Sequence, residues 1–192
     1  MENSITTIRK QLARHIDTEG YVERFNETDR QIRKVSIDEY IESVRYPTKP
    51  EQEFINALVE QIEHEPTWLK LSGISWQFLI FTNGEGGLPH THGPYIMLPY
   101  LSLYSIKPST LVHEKIHVFQ RYYPIETHLY FANSFPITGF AYPCDNMRAN
   151  PDTSRILYGN MRPKWKENAK MITDITDIRD APEELMAQMF ES

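Results

Sequence analysis

Apolar positions recur at helical spacing through the first third of the chain, then give way to runs of aromatic and β-branched residues. Ile5 to Ile16 and Ser36 to Val44 predict amphipathic helices. Pro50 to His64 predicts a stronger one, with proline at its start and Pro66 just beyond its end. From Ile74 to Thr82 the composition turns to that of a strand, Asn83 to Pro89 reads as an open loop, and Tyr95 to Pro99 as a second extended run. Pro94 and Pro99 flank that run. Proline is tolerated at sheet edges and not in sheet centres, so residues 94–99 are expected to form an edge strand. Such a strand is either open to a partner or blunted by its prolines against aggregation.

Helical spacing returns at Pro108 to Pro124, where Ser109 or Thr110 can serve as N-cap and Pro124 as the stop. Leu111, Val112, Ile116, Val118 and Phe119 leave most of its circumference apolar, the pattern of a buried helix. Ile125 to Phe135 predicts a further helix stopped by Pro136. Beyond it Phe140 to Asn146 and Arg148 to Thr153 are turn-rich, and irregular segments of that length usually build a functional surface, here the far wall of a cleft. Near the end, Asp180 reads as an N-cap, with Pro182 in the first turn and Glu183 completing a capping box. Leu185, Met186, Ala187, Met189 and Phe190 then make a helix too apolar for an exposed tail. These elements predict an α+β fold, a small mixed sheet with an edge strand packed on a central helix, plus N-terminal and C-terminal helices. Residues 1–192 are expected to form a single domain, with 1–65 able to make a helical N-terminal lobe.

Charge narrows the partners. Twenty basic residues against 26 acidic ones give a net charge of −6, which argues against general binding to nucleic acid or an anionic membrane. Arg24, Arg30, Arg33 and Lys34 cluster, but interleaved acids make them read as a solvated helical face. Cys144 is the only cysteine, so no intramolecular disulfide forms. No N-terminal apolar run resembles a signal peptide, and no stretch approaches a membrane span, so a cytoplasmic protein is expected.

The candidate chemistry sits in the buried helix. His113-Glu114-Lys115-Ile116-His117 spells H-E-x-x-H. Histidines four apart on a helix stack one turn above the other, so two imidazoles can grip one metal ion. Glu114 falls beside that face, where its carboxylate can take a proton from water at the metal. A core helix with merely hydrogen-bonded histidines would carry the same letters. A catalytic zinc usually takes three protein ligands. The metzincin pattern would need Gly and His where Gln120 and Tyr123 stand, so that subclass is excluded. The third ligand must come from His128, Asp145, Asp152, Asp174, Asp177, Glu183 or Glu184. Glu184 is favoured: the capping box occupies Glu183, and a carboxylate within an apolar helix needs a partner. Two surface glutamates on an amphipathic terminal helix are the plain alternative. His90-Thr91-His92 also places two imidazoles on one face of an extended chain. With a complete site elsewhere, it reads as a surface loop with incidental histidines, or as a contact to substrate.

H-E-x-x-H followed by a glutamate on a later helix resembles the gluzincin metallopeptidases. Glu184-Leu185-Met186-Ala187-Gln188-Met189-Phe190 is similar to the E-x-x-A-E-x-F helix of lethal-factor-like zincins. The resemblance implies a zincin-like fold and a Zn²⁺ ion held by His113, His117 and Glu184, with Glu114 as general base. It also implies a peptide or protein substrate adding along an edge strand just ahead of the motif helix. Gln188 departs from the group's second glutamate, and the long gap from His117 to Glu184 demands an inserted subdomain. Tyr158, ahead of Tyr142 and Arg148, is the candidate for stabilising the oxyanion, a job a Tyr, His or Arg does in gluzincins. Two other readings remain open. One is a zincin scaffold that binds metal and recognises a peptide or partner without catalysis. The other is an iron enzyme using two histidines and one carboxylate.

Overall fold

Ser4 caps the first helix by accepting a hydrogen bond from the Thr7 N–H at 3.3 Å, and α1 (Ile5–Thr18) follows, burying Ile8, Leu12 and Ile16. A computed structural model of the chain describes residues 4–25, 27–33, 35–64, 73–131, 137–140, 152, 156–158, 184, 186 and 187. Next come α2 (Glu27–Arg33), α3 (Ile37–Ser43) and α4 (Lys49–Glu63). Ser36 and Glu39 form a capping box on α3, and Thr48 and Glu51 another on α4. Each cap satisfies N–H groups that the first turn of a helix leaves without partners.

The sheet is three-stranded, ordered β1 (Phe78–Phe81), β3 (Tyr95–Pro99), β2 (His90–His92). β1 runs parallel to β3, and β2 antiparallel to it. The expected edge strand at residues 94–99 is therefore a central one, and the outer strand beside it is β2. The prolines permit this because Pro94 precedes the strand and Pro99 is its last residue, so neither removes a ladder donor from the middle. The fold is mixed α+β.

Alternation assigns the faces. Leu79, Phe81, Tyr95 and Met97 join α1 and α3 in one core cluster, while Phe78, Ile80, Ile96 and Leu98 join α4 and Leu111, Val112 and Val118 in another. The helices before the sheet are thus divided between its two faces. Burying each of these large side chains stabilises the fold by about 1.5–3 kcal/mol. On the far side of β1, Arg45 exchanges two backbone hydrogen bonds with Ile80, both 2.9 Å.

α5 (Pro108–Tyr122) carries the H-E-x-x-H motif. Its N-cap is Lys107, ahead of the expected Ser109 or Thr110, because Pro108 fits the first helical position, where an N–H would have no partner. Pro124 both ends that helix and opens α6 (Pro124–Phe131). β4 (Ile137–Phe140) pairs antiparallel with β5 (Ile156–Tyr158), two strands that the sequence pattern does not predict. Among the described residues no helix is long and apolar enough to cross a membrane.

The basic cluster on α2 is not uniformly solvated. Arg30 is exposed, but Arg33 is buried and pairs with Asp29 at 3.1 Å and Glu85 at 3.3 Å. It also donates to the Tyr21 hydroxyl, which donates to Glu85 at 2.6 Å, and it lies 4.2 Å from the centre of the Phe25 ring. Interleaved acids placed four apart on a helix make an internal ion pair as readily as a surface one.

Candidate metal centre

One turn of α5 separates His113 from His117, and their Nε2 atoms lie 3.1 Å apart. Glu184, in helical backbone near the end of the chain, brings Oε2 to 3.2 Å from His113 Nε2 and Oε1 to 3.6 Å from His117 Nε2. The three residues can each offer one ligand atom within 4.8 Å of the others, and among the described residues no further side chain joins this group. Met186 and Ala187, shortly after Glu184, are also in helical backbone and are buried. The structure thus brings together the three residues named from the sequence. His128 and Asp152 lie outside the group; Asp145, Asp174, Asp177 and Glu183 lie outside the described residues.

The second nitrogen of His117 is already committed. Nδ1–H donates to Gln120 Oε1 at 2.9 Å, which directs Nε2 toward His113 and Glu184. Burial opposes charge on this imidazole, yet the Glu184 carboxylate, backed by Asp152, lifts its pKa to about 10. Glu184 is driven well below the usual carboxylate range: burial works against its charge, but His117 and His113 overcome that penalty. The cluster holds its charges by mutual pairing, and a cation entering it must displace protons.

Glu114 occupies the position the motif assigns it, 4% exposed on α5. Its Oε2 is buried and has no hydrogen-bond partner among the described residues. Burial first, and then the charge of Asp152, pushes its carboxyl well above the usual range. An orphaned carboxyl oxygen beside converging imidazoles suits a group waiting for a water or a ligand.

Asp152 serves β2. Its Oδ1 accepts from the Thr91 N–H and meets the Thr91 hydroxyl, both at 2.7 Å. Tyr158 lies in β5 as the register partner of Ile137, and Tyr142 and Arg148 lie outside the described residues. His90 and His92 are buried in β2, not exposed on a loop. His90 donates from Nδ1 to Leu88 O at 2.9 Å and accepts at Nε2 from the Tyr40 hydroxyl at 2.7 Å, so both nitrogens are occupied. His92 donates from Nδ1 to Glu19 Oε2 at 2.9 Å. Sequence reasoning missed Gln120 and Arg121. Their signal was present, since residues three and four beyond His117 must lie over the same helical face.

No protein-family model matches this chain, and neither does any curated protein or solved structure.

Proposed function

We propose that this chain is a zinc-dependent hydrolase, and within that class a metallopeptidase that cleaves an amide bond. The observation that carries the reading is the convergence of His113, His117 and Glu184 at 3.1, 3.2 and 3.6 Å. Donors 2.0–2.1 Å from a tetrahedral ion lie about 3.3–3.4 Å from one another, so the spacing suits zinc. Two imidazoles and one carboxylate also leave a fourth position for water or substrate. The antiparallel outer strand β2, lying against α5, supports the zincin resemblance.

When bound, zinc supplies Lewis acidity and brings the pKa of a water near neutrality. The chain supplies the rest. Gln120 holds the His117 ring in the tautomer that presents Nε2. Glu114 accepts the proton of the attacking water and passes it to the leaving amine. A divalent charge at the three donors favours the ionised Glu114 that this requires.

The test is metal content and turnover side by side. Protein purified without added metal should hold one zinc per chain, and His113→Ala and Glu184→Ala should lose it. Glu114→Gln should keep the zinc while losing hydrolysis of a fluorogenic peptide library. Full metal retention by Glu184→Ala would remove Glu184 from the ligand set. Iron in place of zinc, or turnover surviving Glu114→Gln, would overturn the mechanism.

A further inference from the structure

The outer edge of β2 is closed by side chains of this same chain. Thr91 pairs in register with Ile96, whose N–H is given to Gln77 O on the β1 side at 2.8 Å. The two form a non-hydrogen-bonded pair, so the N–H and C=O of Thr91 point away from β3, toward the edge where another strand would add. Both are taken. The N–H goes to Asp152 Oδ1 at 2.7 Å, and the carbonyl accepts from Arg121 Nη2 at 3.2 Å. Arg121 also donates to the Thr91 hydroxyl. In the turn that follows, the Gly93 N–H goes to Glu19 Oε1 at 2.7 Å.

These three side chains hold one another as well. Arg121 Nε lies 3.2 Å from Glu19 Oε1, and Arg121 Nη2 lies 4.0 Å from Asp152 Oδ1. None of the three is more than 21% exposed, so little of the network is screened by water. Arg121 stands one turn beyond His117 on α5, which sets this clasp directly beside the donor cluster. An extended peptide adding to β2 would need the same N–H and C=O of Thr91 that the clasp occupies. It would also have to break a charge-assisted network to reach them.

We infer that the clasp sets the substrate class: Arg121 and Asp152 exclude extended polypeptide from β2, and the centre takes short substrates that present their amide without strand addition. The inference rests on the metal-centre reading above and reverses the expectation that a peptide pairs along the edge strand.

Two probes separate the claims on zinc-loaded protein: acetohydroxamate, which engages only the metal, and a hydroxamate carrying an extended tripeptide, with an N-methylated copy as control. The wild type should bind the first two within about threefold of each other, and Asp152→Ala or Arg121→Ala should favour the tripeptide by about tenfold, a gain that N-methylation removes. Hydrogen exchange at the Thr91 amide should be slow in the wild type and about a hundredfold faster in Asp152→Ala. A wild type that already prefers the tripeptide about tenfold, and loses that preference on N-methylation, overturns the inference even if neither variant folds. Failure of acetohydroxamate to bind overturns the metal centre itself, and the inference with it.

Discussion

Gln120 accepts the Nδ1–H of His117 at 2.9 Å, and through that one bond the side-chain amide decides which imidazole nitrogen faces Glu184. The pair is local, three residues apart on α5, and Gln120 is only 7% exposed. Neutral Gln120 orients the ring without adding charge.

Removing this acceptor should weaken the metal site while leaving its ligands in place. Gln120→Ala is expected to lower zinc affinity by about 10–100-fold, the usual consequence of losing such an orienting partner. Competition against a chromophoric chelator measures it. An affinity equal to wild type would mean that packing alone sets the His117 ring.

Zinc should also stabilise the fold, because Glu184 is far from α5 in sequence and the ion would tie the two together. At free zinc about 100 times its dissociation constant, the gain is about 2.7 kcal/mol. For a chain of this size that is a rise of about 5–10 °C in Tm. Calorimetry with chelator and then with zinc restored should show the shift in wild type. His113→Ala should show almost none.

His90 should make the protein acid-sensitive. Burial, ahead of the charge of His92, holds its pKa down at about 4, below the 6.5 of an ordinary histidine. A histidine with a depressed folded pKa contributes its full stability above about pH 6.5, and that contribution fades as pH falls toward 4. Denaturant midpoints should therefore drop across this window, and His90→Gln should flatten the drop. An unchanged profile in that variant would assign the acid sensitivity elsewhere.

Glu51 should contribute in a lower window. Arg45 grips it with two bonds of 2.7 Å each, and Thr48 donates to it from both N–H and hydroxyl. The Arg45 bonds, opposed by burial, bring its pKa down to about 2. The depressed carboxyl stabilises the fold above about pH 4.5 and ceases to as pH falls through 2. With Arg45 partly in solvent, Glu51→Gln should cost about 1 kcal/mol at neutral pH and nearly nothing at pH 2. Urea denaturation at the two pH values distinguishes the loss of charge from a simple packing defect, which would persist at both.

Local geometry made the helices legible. Ser36 with Glu39 and Thr48 with Glu51 sit at capping-box spacing, and the predicted helices at Ser36 to Val44 and Pro50 to His64 lie within a residue or so of the observed bounds. Likewise, histidines four apart on α5 must share a face whatever the rest of the chain does. Strand placement was less legible. Ile74 to Gln77 share the composition of the strand that follows, yet β1 begins only at Phe78, where pairing with β3 starts.

Pattern, turn chemistry and helical spacing belong to a few neighbouring residues, and so the sequence by itself determined α1, α3, α4, α5 and the facing pair His113 and His117. Which strand is central was decided by parallel pairing between β1 and β3, with β2 between them in the chain, and proline at strand ends does not reveal it. The burial of His90, His92 and Arg33, and the meeting of Glu184 and Asp152 with α5 and β2, were decided only by the tertiary structure. Each depends on contacts between segments far apart along the chain, whose closure is won by packing and charge pairing that no short window of residues contains.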